Sequence, residues 1–320
     1  MTDLPDGCLN AKSAPQPPHD FAAFWDEVVN DLTLVSADWE RTSDNTFISD
    51  SHTIELIRFS SLHDIVIYAW IASPKHKETE RVPGILWIPG YSFGNPPPGP
   101  ESLYDGCVTM GINLHGNLPD TRYVHPRTMN REYILDGIDA PKSYIFRTLV
   151  AHCLRAIDVL SEQSDVDPLR IIAAGMSQGG GLALISSAIS AKVHACFSDM
   201  PWLCDLELSL KLIDRPRYRM RPNMVCPDSR ILIADYIDQY PERAETVMRS
   251  YRYIDPLNHA RNIRCLVHCS AGGRDPSCRP ATIYSVYNNL NSEKEFLYLP
   301  NVGHEIVKAM HEMHCRAIFA

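Results

Sequence analysis

Gly175-Met176-Ser177-Gln178-Gly179-Gly180-Gly181 follows the apolar run Ile171-Ile172-Ala173-Ala174 and precedes the helix-like Leu182-Ala183-Leu184-Ile185-Ser186. The order is a strand, a sharp turn and a helix. In a G-x-S-x-G turn of this kind the serine sits at the tip, and its hydroxyl projects above the sheet. A side chain at 175 or 179 would collide with the neighbouring strand or with the first turn of the helix, which is why both positions are glycine. The backbone N–H of Gln178, at the N-terminus of the new helix, is placed to stabilise an oxyanion. A glycine-rich turn carrying an ordinary serine is the bland alternative, and the strand before it and helix after it speak against that.

Outward from this turn, strand and helix signals alternate. Thr53 to Ser60 and Ile65 to Ile71 flank Ser61-Leu62-His63-Asp64 and predict an antiparallel hairpin. Gly84 to Ile88, Cys107 to Leu114, Val193 to Phe197, Ile263 to Cys269 and Glu295 to Leu299 read as further strands, and Ser143 to Gln163 as a long helix. Asp20-Phe21-Ala22-Ala23-Phe24-Trp25 opens an amphipathic helix with Phe21, Phe24, Trp25 and Val28 on one face, and the Pro-rich residues before it are expected to run over the surface. This alternation predicts one α/β domain over 1–320, with a mostly parallel, helix-covered sheet and a cap-like excursion from about 200 to 255.

The bulk numbers exclude some functions. With 320 residues, 45% hydrophobic and 22% charged, the chain has the composition of a globular protein that buries a large core. A net charge of −9 without a Lys/Arg cluster argues against nucleic acid or an anionic membrane as partner, and favours a small neutral molecule. No apolar run approaches the ~18 residues of a membrane span. Met1 to Gly7 lacks the basic and apolar regions of a signal peptide. The ten cysteines are scattered without a C-x-x-C pair, which predicts reduced thiols in a cytoplasmic protein. Arg215, Arg217, Arg219 and Arg221 alternate within the cap and read as a solvated face.

A serine hydroxyl attacks an ester only when a histidine takes its proton, and that histidine needs a buried acid to hold its tautomer. Asp275, in Gly272-Gly273-Arg274-Asp275-Pro276, follows the Ile263 to Cys269 strand, and His304, in Gly303-His304-Glu305, follows the next strand. The chain order Ser177, Asp275, His304 is that of an α/β-hydrolase. Asp199, which also ends a strand, is the competing acid. The second oxyanion donor should come from Pro89-Gly90-Tyr91-Ser92, with the Tyr91 N–H in that role. His304, His311 and His314 with Glu305 lack the H-E-x-x-H spacing, so no metal is expected.

Those residues carry a resemblance. Gly175-Met176-Ser177-Gln178-Gly179-Gly180, Asp275-Pro276-Ser277-Cys278-Arg279-Pro280-Ala281-Thr282 with Tyr287-Asn288, Gly303-His304-Glu305, Pro201-Trp202-Leu203-Cys204-Asp205 and Phe24-Trp25 resemble the acetyl xylan esterase / cephalosporin C deacetylase family of carbohydrate esterases over nearly the whole chain. The resemblance implies an α/β-hydrolase fold, removal of acetyl groups from small esters with no cofactor and, for many members, a ring-shaped homo-oligomer. Where the family carries Arg-Gly-Gln after the fourth strand, this chain has His115-Gly116-Asn117. Imidazole does not replace a planar guanidinium fork, so that element is rebuilt, and Trp202, His115 and Asn117 are the candidate substrate-binding residues. The reading is a serine esterase acting on sugar or natural-product acetates. Its rivals are acetate elimination or acyl transfer in the same pocket, and a non-enzymatic binding protein on this fold.

Overall fold

The computed structural model describes residues 10–43, 47–91, 99, 103–115, 133–213 and 229–319. Its strands are β1 Glu40–Ser43, β2 His52–Ser60, β3 Val66–Pro74, β4 Val82–Ile88, β5 Val108–Ile112, β6 Val166–Met176, β7 Val193–Asp199, β8 Leu266–Gly272 and β9 Lys294–Leu299. They form one nine-stranded sheet in the order β1-β2-β3-β5-β4-β6-β7-β8-β9. Pairing is antiparallel from β1 to the β3–β5 pair and parallel from there to β9. This is the α/β-hydrolase fold expected from the motif order. Parallel neighbours need crossovers, and the helices that supply them cover the sheet.

The helices are α1 Phe21–Thr33, α2 Ile145–Ser161, α3 Gln178–Ile189, α4 Leu206–Lys211, α5 Ser229–Gln239, α6 Ala244–Ile254, α7 Pro256–His259, α8 Pro280–Tyr287 and α9 Lys308–Ile318. Alternate residues of each central strand feed different cores, as the period of two requires. Leu86, Ile88, Ile171, Ala173 and Cys196 join the large core with α1, α2 and α3. Ile85, Ile172, Ala174 and Phe197 face the other way, against Tyr104, Cys107 and Ile318. Among the described residues no helix is long and apolar enough to cross a membrane.

The expected hairpin forms, with Ser60 opposite Val66 and His52 opposite Pro74. Strand β1 carries no apolar alternation and escaped the sequence reading; it is a mostly exposed edge strand whose ladder partner is β2. Strand β8 begins at Leu266 rather than Ile263, because the chain is still leaving a 3₁₀ turn at Ala260–Asn262 whose last bond is Ile263 N–H to the Ala260 carbonyl. Residues 10–20 are tied down more than their composition suggests. Ser13 N–H donates to Ser285 Oγ at 3.1 Å, Gln16 N–H to Asn258 Oδ1 at 2.7 Å, and Asn289 Nδ2 to the Ser13 carbonyl at 3.0 Å. Residues 214–228, with Arg215, Arg217, Arg219 and Arg221, lie outside the described residues.

The apolar face of α1 is clasped by α6 and α7. Phe24 stacks on Tyr253 with centroids 4.1 Å apart, and His259 lies 4.7 Å from Phe21 and 5.5 Å from Trp25. His259 Nε2 donates to the Tyr253 carbonyl at 2.8 Å, and burial pushes its pKa down to about 4. A histidine whose folded pKa is depressed contributes stability above its unfolded pKa near 6.5 and loses it as pH falls toward the folded value. Asp255, pushed up to about 7 by burial, runs in the opposite direction over the same window. The difference between wild type and His259→Gln therefore isolates the histidine. The wild-type advantage in unfolding free energy should shrink by up to about 3 kcal/mol between pH 7 and pH 4. Denaturant unfolding at several pH values checks it, and a constant difference refutes it.

Candidate functional site

Ser177 occupies the single residue between the end of β6 and the start of α3, with φ 60° and ψ −122°. A non-glycine residue there costs of order 1–3 kcal/mol and persists only where its surroundings over-determine it. Its N–H donates to the Asp199 carbonyl at 2.9 Å, and its carbonyl accepts from Gly181 N–H at 3.0 Å and Trp202 N–H at 2.9 Å. The turn closes only over glycine. A Cβ on Gly179 would lie 2.0 Å from the Ile88 carbonyl oxygen, and one on Gly181 would lie 2.2 Å from that of Trp202.

Asp275 and His304 arrive on loops after β8 and β9, and backbone bonds weld those loops together. Gly273 N–H reaches the Leu299 carbonyl at 2.8 Å, and Arg274 N–H reaches that of Val302 at 3.0 Å. His304 Nδ1 stands 2.6 Å from Asp275 Oδ2. The other oxygen, Oδ1, accepts from Ser277 N–H at 2.8 Å and Cys278 N–H at 2.9 Å. Asp275 is buried, while the His304 side chain retains 28% exposure. With a carboxylate at Nδ1 the imidazole proton belongs there, and Nε2 keeps its lone pair. Helix α5 braces the same loop, since Arg230 Nη2 donates to the Pro276 carbonyl at 2.8 Å.

Asp199 is engaged elsewhere. Its Oδ1 accepts from Ser270 Oγ at 2.7 Å, and Oδ2 lies 3.4 Å from His314 Nε2. The structure thus pairs His304 with Asp275, and Asp199 with His314.

The ring of Tyr91 stacks on Tyr133 at 4.3 Å and meets Trp202 edge-on at 5.4 Å. Its hydroxyl accepts from Ile134 N–H at 3.2 Å. Gln178 is the first residue of α3, where a backbone N–H has no partner within the helix. Its side-chain Oε1 accepts from the Tyr133 hydroxyl at 2.6 Å. His115 lies edge-on to Tyr133 at 4.8 Å. Trp202 is buried and also meets Phe146 at 5.9 Å, so its indole serves as wall more than as open surface. Ser92, Gly116 and Asn117 lie outside the described residues. Tyr133 was missed by the sequence reading; the apolar trio Tyr133-Ile134-Leu135 in an otherwise polar loop was the available signal.

Among the described residues, one group brings three potential metal-ligand atoms within 4.8 Å of one another: Asp275, Cys278 and His304. An ion ligated through Nδ1 there would displace the 2.6 Å bond between His304 and Asp275. His311, half-buried, stacks on Tyr104 at 4.4 Å, and His314 is buried beside Asp199.

The whole-chain architecture is shared with solved structures. An acetyl xylan esterase from Paenibacillus sp. R4 superposes with a TM-score of 0.84 at 24% identity, covering 99% of both chains. Acetyl Xylan Esterase 1 from Thermoanaerobacterium sp. JW/SL YS485 gives 0.81 at 24% identity, covering 99% of this chain and 98% of that one. At that identity the likeness establishes the fold. Acetyl esterase Axe7A of Xylanibacter ruminicola is 25% identical over 294 residues, which is 88% of this chain. The chain spans only 62% of the length of that relative. The acetyl xylan esterase family (AXE1) matches residues 2–318, and the chain belongs to it.

Proposed function

We propose that this protein is a serine carboxylic-ester hydrolase that removes acetyl groups from small acetylated molecules, sugar or natural-product esters. The observation that carries the reading is the 2.6 Å bond from His304 Nδ1 to buried Asp275, on the sheet edge where Ser177 is held in its sharp turn. Ser177 Oγ attacks the ester carbonyl carbon as His304 Nε2 accepts its proton. The tetrahedral oxyanion is met by the N–H groups of Gln178 and Tyr91. Collapse breaks the bond to the alcohol, which takes the proton from His304 and leaves acetyl-Ser177. Water, deprotonated by the same nitrogen, then releases acetate. Membership of the acetyl xylan esterase family and the name of the Xylanibacter relative support this reading. The scattered cysteines, without a C-x-x-C pair, support a cytoplasmic setting.

Quenching early in turnover of 4-nitrophenyl acetate should reveal an intact-mass increase of one acetyl group, located on Ser177. Formation of an alkene from the natural substrate with no acetylated enzyme at any time would establish acetate elimination instead. Should that occur, His115→Ala ought to slow the elimination more than it slows a test ester.

The buried wall of Tyr91, Tyr133 and Trp202 favours short acyl groups. Acetate and propionate esters should outpace an eight-carbon ester by at least about tenfold in kcat/KM, since each methylene that finds no room forfeits its share of binding. Equal or faster turnover of the longer ester refutes this.

A further inference from the structure

Behind the sheet edge that carries Ser177 lies a buried polar chain that the esterase reading leaves unused. Tyr104, His314 and Asp199 are each at most 1% exposed. The Tyr104 hydroxyl is 2.9 Å from His314 Nδ1, and His314 Nε2 is 3.4 Å from Asp199 Oδ2. The imidazole lies flat on Phe197, with centroids 4.4 Å apart and planes 6° from parallel. Burial holds the Tyr104 hydroxyl well above the ordinary tyrosine value, so it stays protonated and shares one hydrogen bond with Nδ1. With the hydroxyl as donor in that bond, the imidazole proton lies on Nε2, the nitrogen nearer Asp199.

Asp199 is where this chain meets the nucleophile. The peptide unit joining Asp199 to Met200 is gripped at both ends. Its carbonyl accepts the N–H of Ser177 at 2.9 Å, and its N–H donates to the Ser270 carbonyl at 3.1 Å and lies 3.3 Å from Ser270 Oγ. The Ser270 hydroxyl in turn donates to Asp199 Oδ1 at 2.7 Å. Met200, on the far side of that peptide, has φ 39°, itself a costly conformation for a non-glycine residue. The plane that holds the N–H of Ser177 is therefore oriented through Ser270 and the Asp199 carboxylate, and the buried His314 Nε2 lies against that carboxylate at 3.4 Å, a polar contact rather than a hydrogen bond.

We propose that His314, backed by Tyr104, is a positioning residue for Ser177: it holds the Asp199 carboxylate, and through it the peptide carbonyl that keeps the nucleophile in its strained turn. The proposal rests on Ser177 being the nucleophile. A nucleophile displaced by a fraction of an ångström loses rate while substrate binding is little altered, because the acyl pocket is built from other residues. Helix α9 thereby connects the C-terminus of the chain to the chemistry by packing, without touching substrate.

The test uses full-length His314→Phe, His314→Gln and Tyr104→Phe. Each is assayed for kcat and KM on 4-nitrophenyl acetate, for the rate at which a small fluorophosphonate labels Ser177, and for thermal melting. Phenylalanine preserves the stack on Phe197 and removes both nitrogens, whereas glutamine retains an N–H for Asp199. His314→Phe should lower kcat and the labelling rate together by about tenfold with KM within about twofold. His314→Gln should recover most of that loss, and Tyr104→Phe should lower both rates by a smaller factor. Unchanged kcat and labelling in His314→Phe overturns the proposal. So does a loss confined to melting temperature, or one that glutamine fails to repair. Should His314→Phe fail to fold, Tyr104→Phe decides alone, since it removes one hydroxyl and keeps its ring. Labelling that persists in Ser177→Ala overturns the nucleophile assignment instead, and so separates the two failures.

Discussion

Ser177→Ala should lower ester hydrolysis by about 10⁴- to 10⁶-fold, and His304→Ala by a comparable factor, because nucleophile and base act as one unit. Alanine at 177 removes only Oγ. The backbone bonds to Asp199, Gly181 and Trp202 that hold the turn all remain, so the melting temperature should stay close to wild type. His304 sits on a partly exposed loop whose anchors are main-chain bonds at Gly273 and Arg274, so its truncation should also leave the fold intact. Release of 4-nitrophenol from the acetate ester, measured beside a thermal melt, checks both. Retention of more than a tenth of the wild-type rate by Ser177→Ala would sink the nucleophile assignment.

Asp275→Asn should lower turnover by about 10³- to 10⁴-fold while leaving the loop in place. The geometry says why. Oδ1 of Asp275 accepts two backbone N–H groups, so asparagine must keep its carbonyl oxygen there and turn its NH₂ toward His304 Nδ1. Two donors cannot face each other. Nδ1 then surrenders its proton, the proton moves to Nε2, and the nitrogen that should accept from Ser177 becomes a donor. In Asp199→Asn the carbonyl oxygen likewise stays with the Ser270 hydroxyl, but the altered atom faces His314, which does not take part in proton transfer. Its cost should be about tenfold, through positioning alone. Pre-steady-state kinetics of the two variants give the ranking, and a larger loss at Asp199 would transfer the acid role to that residue.

Much of this arrangement was legible in the chain because it is encoded locally. The glycines at 175 and 179 announce a turn too tight for side chains, and the Ile88 carbonyl oxygen that would be struck sits where a neighbouring parallel strand must run. The strands before Asp275 and His304 are short apolar runs, and each loop begins where its run ends. The face of α1 follows from spacing alone, as Phe21, Phe24, Trp25 and Val28 recur with the helical period and all are buried. The order of serine, acid and histidine along the chain needs no coordinates to read.

The sequence favoured Asp275 over Asp199 as the acid, but the partner of each carboxylate is visible only in the tertiary structure. Asp199 and Asp275 each end or follow a strand, and what marks out Asp275 in the sequence is its place before His304 and the Asp275 to Thr282 segment. The distinction lies in partners 29 and 115 positions away along the chain, His304 for Asp275 and His314 for Asp199. Tyr133 escaped for the same reason: its stack on Tyr91 and its bond to Gln178 join parts of the chain 42 and 45 positions distant. Sequence carries the period of a helix and the tightness of a turn, because those are interactions between near neighbours. It does not carry which imidazole Asp199 meets, because that depends on how β7, β8 and α9 stack in space. The sharp turn at Ser177 was determined by its own sequence; the peptide that holds it there, and what orients that peptide, were decided only by the packing of distant elements.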